Sequence, residues 1–126
     1  MAKLMMLFGA KQVINNLKRQ GANAGRGVAA GLKAGGLFLQ RESQLIVPVD
    51  LGNLINSAFT RAEGEGVDTE VEVGYTAEYA VYVHENLDAR HEPGKQAKYL
   101  EQPAREKRAE ILKIVEEKAK QVMGVT

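Results

Sequence analysis

The chain of 126 residues contains no cysteine and no tryptophan, has only three prolines, and is 6% aromatic. Without cysteine there is no disulfide scaffold, no thiol nucleophile and no cysteine-ligated zinc or iron–sulfur site. Long hydrophobic runs are missing too: the longest unbroken one, Leu4-Met5-Met6-Leu7-Phe8, is five residues, too short for a membrane span or the core of a secretory signal. What is present is globular in composition, 44% hydrophobic and 26% charged, which excludes wholesale disorder. A chain of this length buries roughly two-thirds of its unfolded surface, enough for a core without staples. The expectation is one soluble domain over residues 1–126, made in the cytosol.

Acids are absent from the first third. Residues 1 to 41 hold seven bases and no acid, whereas residues 61 to 92 hold nine acids against Arg61 and Arg90. The formal net charge of +1 therefore conceals opposed blocks. Such blocks point either to complementary surfaces or to faces whose charge drifted apart in solvent.

Residues 10 to 20 read as helical, with Val13 and Leu17 one turn apart. From Gly21 to Gly36 there are six glycines interleaved with five alanines. Gly27, Gly31 and Gly35 recur every four residues and form one smooth stripe on a helix. Each glycine costs about 1 kcal/mol of helix propensity relative to alanine, so the stripe implies close approach of a sheet or a neighbouring subunit. A Gly-rich linker is the alternative for residues 21–27. Val28, Leu32 and Leu39 carry the helix to about Leu45, and Pro48 ends it.

Beyond Pro48 the period changes to two. Val67, Thr69, Val71 and Val73 alternate with Asp68, Glu70 and Glu72, a half-buried strand with an acidic outer face. Ser57 to Glu63 reads as its partner, with Gly64-Glu65-Gly66 as the hairpin turn. Tyr75 to Glu85 fits a helix or a strand. Residues 86–96 form an exposed loop, and Pro103 suits the first position of a final helix over 102–124. Ile111, Val115, Ala119 and Val122 line its apolar face. The chain thus divides into an N-terminal helical region (1–47), a hairpin and sheet region (48–101) and a C-terminal helix. That makes an α+β fold with a long N-terminal helix and a C-terminal helix packed on a small antiparallel sheet.

Catalytic patterns are scarce. Gly25-Arg26-Gly27-Val28-Ala29-Ala30 formally matches a dinucleotide fingerprint, but the segment before it is basic and polar where a buried strand is required. His84, Asp88, His91 and Glu92 could gather around a metal in one loop; the plainer reading is a polar loop paired with Arg90. Ser43 and Ser57 lack the glycines of a nucleophile elbow. Tyr75, Tyr79, Tyr82 and Tyr99 could stack bases, yet acids flank three of them, as suits core and interface aromatics. The residues imply no enzyme and no cofactor.

Three pieces in order carry a resemblance: Pro48-Val49-Asp50-Leu51-Gly52-Asn53-Leu54-Ile55-Asn56-Ser57, then Val73-Gly74-Tyr75 followed by Tyr79-Ala80-Val81-Tyr82-Val83-His84-Glu85, then Ala97-Lys98-Tyr99-Leu100-Glu101 before the last helix. Together, after a helix, they resemble the head–tail joining or tail-completion proteins of tailed bacteriophages, over roughly residues 26 to 115. Leu51 stands where that family usually has threonine, and His84-Glu85-Asn86 replaces its usual acid-aromatic-glycine ending. The resemblance implies a structural virion protein, made in the host cytoplasm. Copies would form a homo-oligomeric ring, a hexamer, at the neck or tail end, as in joining, completion or tail-terminator rings. Implied partners are the neighbouring neck, head-connector and tail-tube proteins, with DNA passing through the lumen unread and no membrane. Asp50 and Gly52 would shape the turn and Leu54 would begin a buried face. In such a ring Gly27, Gly31 and Gly35, with Asp68, Glu70 and Glu72 facing Lys11 and Lys18 of a neighbour, would form the subunit interface. The alternative is a nucleic-acid-binding module using the basic residues 1 to 41.

Overall fold

The computed structural model describes residues 10–21, 23–48, 52–87 and 94–125. The N-terminal helical region is two helices, α1 (Ala10–Lys18) and α2 (Ala24–Ile46). The glycine-rich segment from residue 24 onward belongs to α2 rather than to a linker. The last turn of α2 closes with the Val47 amide donating to the Ser43 carbonyl at 3.0 Å. Val47 then turns extended at φ −68° and ψ 140°, as a residue before proline must.

A short helix α3 (Gly52–Asn56) leads into the hairpin of β1 (Ala58–Glu63) and β2 (Glu70–Tyr75). The strands are antiparallel, paired from Ala58 with Tyr75 to Glu63 with Glu70. The connection is longer than Gly64-Glu65-Gly66, because Gly66–Asp68 forms a 3-10 turn before β2 starts. Val67 and Asp68 are therefore outside the strand. Gly64 and Gly66 take φ of 82° and 58°, and the Thr69 hydroxyl donates to the Gly66 carbonyl at 2.7 Å to fix the turn.

Tyr75 ends β2, and the segment that fitted either element becomes helix α4 (Ala80–Glu85). The expected final helix is broken in two: α5 (Glu101–Glu106) and α6 (Arg108–Met123). Pro103 is the third residue of α5 and not the first of a long helix. Its missing N–H costs nothing there, since first-turn amides have no partner within the helix. Lys107, at φ −98° and ψ 12°, makes the joint. Gly124 closes α6 at φ 76°, where the Gly124 and Val125 amides reach the Gln121 and Lys120 carbonyls in a Schellman arrangement. The apolar face of α6 is Ile111, Val115, Ala119 and Met123; Val122, expected there, is only partly buried.

α2 lies between the hairpin and α6. Val28, Leu32 and Leu39 pack with Leu17, Val71, Val73, Ile111 and Val115 in one buried cluster. A second cluster, of Val47, Leu54, Tyr75, Ala80, Val83 and Tyr99, sits beyond the C-terminal end of α2. The fold is α+β, with helices packed on a two-stranded antiparallel sheet.

Candidate assembly surface

The three sequence pieces that carry the resemblance meet in the second cluster. Leu54 and Val47 are fully buried there, Pro48 is also buried, and α4 contributes Ala80 and Val83. Tyr99 completes it, edge-on to Tyr75 with ring centroids 5.0 Å apart and planes at 70°. Both phenols are partnered. The Tyr75 and Ser43 hydroxyls are 2.6 Å apart, and the Tyr99 hydroxyl donates to the Ala80 carbonyl at 2.6 Å. Burial pushes the Tyr75 phenol up to about 12, against a smaller opposing effect of the Ser43 hydrogen bond. Burial also raises the Tyr99 phenol.

His84 extends the cluster, with its ring edge-on to Tyr99 at 5.0 Å. Its Nε2 accepts the Glu101 amide at 3.1 Å, so Nδ1 carries the proton and donates to Glu85 at 3.0 Å. Both ring nitrogens are thereby used within the fold. Of the loop that suggested a metal, Asp88, His91 and Glu92 lie outside the described residues. Among the described residues no group of three or more histidines and carboxylates gathers.

Lys98 ties this region together. Its amide donates to the His84 carbonyl at 2.7 Å, and its ammonium pairs with Glu85 and, at 3.2 Å, with Glu101. Beside Lys98, and secondarily His84, the Glu85 carboxyl is held below the usual range, and Glu85 in turn raises the Lys98 ammonium. Lys98 sits at φ 55°, a conformation that these three partners together stabilise.

The glycine stripe has a different role from the expected subunit interface. A Cβ on Gly31 would fall 2.3 Å from the Val115 carbonyl oxygen, and one on Gly27 2.9 Å from that of Ala119. The approaching element is α6 of the same chain. Gly35 is buried as well, and Gly36 presses on Val71 and Thr60 of the hairpin. The smooth face of α2 is thus consumed inside the monomer.

The acidic face also needs correction. Asp68 and Glu70 are exposed, but Glu72 is only 6% exposed. One Glu72 oxygen accepts from Arg61 at 3.0 Å, while Oε1 is buried without a partner among the described residues. Strand alternation placed Glu72 on the outward face; it could not reveal that this part of the face is covered. Lys11 and Lys18 are exposed on α1. Asp50 lies outside the described residues, Gly52 opens α3, Tyr79 precedes α4, and Leu100 is buried in the first cluster. Tyr82 is 69% exposed and no part of the core.

Two surface features escaped sequence reading. Leu37 and Leu45 stand out from α2 at 53% and 62% exposure, although their spacing resembles that of core leucines. A cleft of about 550 Å³ opens between α2 and the hairpin turn beside their contact at Gly25 and Gly66, lined among others by Arg26, Lys33, Glu65 and Thr69. Only the fold brings its two walls together. No family model, curated protein or solved structure matches the chain.

Proposed function

We propose that this protein is a structural virion component of a tailed bacteriophage, forming a ring that joins head to tail or completes the tail. The reading comes from the ordered motifs at Pro48–Leu54, Tyr79–Val83 and Lys98–Leu100. The observation that carries it furthest is that residues from all three share one buried cluster, Leu54, Ala80, Val83 and Tyr99. Motifs kept in order because they build one structural joint suit a protein whose work is shape. The ring would need no turnover; subunit contacts and a passage for DNA would suffice. Mass spectrometry of purified virions tests the reading: several copies per particle are expected, and absence from mature particles overturns it.

A nucleic-acid-binding role is favoured by one observation, the exposed bases Arg26, Lys33 and Arg41 on α2. Under that role DNA affinity would fall steeply and linearly with salt on logarithmic axes.

A further inference from the structure

The outer face of α2 and the hairpin turn carry opposite charge; Lys33 lines the cleft beside the turn, whereas Arg41 and Leu45 lie toward the far end of the helix. Lys33, Leu37, Arg41 and Leu45 follow at four-residue intervals, share one side of α2 and are all exposed. Among the described residues, no ion pair or hydrogen bond engages the Lys33 or Arg41 side chain, whereas nearby Glu42 is paired with Lys107. On the hairpin side, Glu63 lies 3.5 Å from Arg61 and shares that single cation with Glu72. Glu65, Asp68 and Glu70 are exposed and have no ion-pair partner among the described residues.

The positions of these patches decide what can join them. A Cβ on Gly25 would lie 3.2 Å from the Gly66 Cα, so the acidic turn sits against the N-terminal end of α2. Leu45 is next to the last residue of that helix. At 1.5 Å per residue, a 23-residue helix is about 34 Å long. The acids therefore cannot reach Arg41 or Leu45 of their own chain, but those of another copy can.

We propose that the Lys33–Leu45 face of α2 docks the acidic hairpin turn of a second copy of this chain, head to tail. The contact rests on the ring reading above and names its interface. It is heterologous: each subunit gives its hairpin turn to one neighbour and its α2 face to the other, the arrangement that makes a ring when the rotation between neighbours closes. The charges orient the partners and the two exposed leucines lose water on contact.

Charge reversal with mixing tests this. One variant carries Glu65→Lys, Asp68→Lys and Glu70→Lys; the other carries Lys33→Glu and Arg41→Glu. Circular dichroism checks that each folds, and sedimentation velocity at low salt reads the assembly. The wild type is expected to oligomerise, each variant alone to be monomeric, and their equimolar mixture to assemble again, since every contact regains opposite charges. As an independent measurement, carbodiimide cross-linking of mixed light and heavy-isotope wild-type chains should join Lys33 to hairpin acids between copies. Variants that assemble alone would overturn the interface while leaving the ring reading intact. Folded variants whose mixture stays monomeric, or a wild type monomeric at low salt, would also overturn it. So would a monomeric wild type that binds duplex DNA through Lys33 and Arg41. The ring reading itself falls only if virions lack the protein.

Discussion

Gly31 and Val115 touch backbone to backbone: a Cβ on Gly31 would lie 2.3 Å from the Val115 carbonyl oxygen. The contact sets how closely α2 and α6 approach. Helix propensity alone would make Gly31→Ala stabilising by about 1 kcal/mol. Here the obstacle is backbone, which cannot rotate away, and overpacking costs about 1–3 kcal/mol. We expect Gly31→Ala to lower stability in urea unfolding and Gly31→Leu to lower it further. Gly27→Ala should cost less, because its nearest neighbour is the flexible Met123 side chain and the Ala119 carbonyl oxygen stands at 2.9 Å rather than 2.3 Å. Gly21→Ala, with nothing within 4 Å, should be near neutral. A stabilised Gly31→Ala protein would refute the close packing.

Glu70 and Glu72 should behave oppositely despite sharing a face. Glu70 is exposed, so Glu70→Lys should change stability by no more than about 0.5 kcal/mol. Glu72→Lys sets a second cation beside the half-exposed Arg61 at a buried position and should cost clearly more than Glu70→Lys. Replacing both partners, Arg61→Thr with Glu72→Val, should cost less than Glu72→Lys. Thermal melts of the four proteins decide this, and equal melting of the Glu70 and Glu72 variants would contradict the buried carboxylate.

The Ser43–Tyr75 hydrogen bond should show strong coupling. Ser43→Ala or Tyr75→Phe alone leaves one buried hydroxyl unpaired, at about 1–3 kcal/mol. The double variant should lose clearly less than the sum, and additive losses would argue against the bond.

Alkaline pH should destabilise the fold through the same tyrosine. Tyr75 has its phenol raised from 10.0 to about 12, so the unfolded chain releases that proton first. The contribution is fully present below pH 10 and is lost as pH rises through about 12, because over that interval the unfolded state binds fewer protons. Denaturant midpoints measured across this window should fall, and Tyr75→Phe should flatten the decline. A decline just as steep in Tyr75→Phe would assign it elsewhere.

Leu54 tests the joint made by the three motifs. It is fully buried in the second cluster, and Leu54→Ala should cost about 2–5 kcal/mol. Calorimetry on the purified variant measures it, and a loss below 1 kcal/mol would mean the cluster repacks freely.

Much of the fold was legible because period and punctuation are local signals. The alternation through Val71 and Val73 located β2, and Pro48 marked the end of α2. The glycine stripe correctly demanded a close neighbour, but its identity depended on α6, far along the chain, and no local signal carries that. Pro103 misled for a related reason: proline is tolerated anywhere in the first turn, so it does not fix where a helix begins. Asp68 was assigned to the strand because alternation continues through the 3-10 turn. Of the candidate surface, the charge blocks were visible in advance, but not which bases of α2 stay exposed and unpaired among the described residues. His84 could be singled out, though its use of both nitrogens within the core required Glu85 and Glu101 to be in place.

The close seat of α6 on α2 also sets an order of events in time. Five glycines weaken α2 on its own by about 5 kcal/mol relative to alanine, so its helix depends on the partner it packs against. That partner is translated long after α2 has left the ribosome. The nascent chain must therefore wait, with the α6-facing side of α2 uncovered, until the α6 sequence emerges. Stalled or truncated products lacking α6 should consequently be substrates for chaperones and proteases, so that only chains carrying both helices reach the folded state.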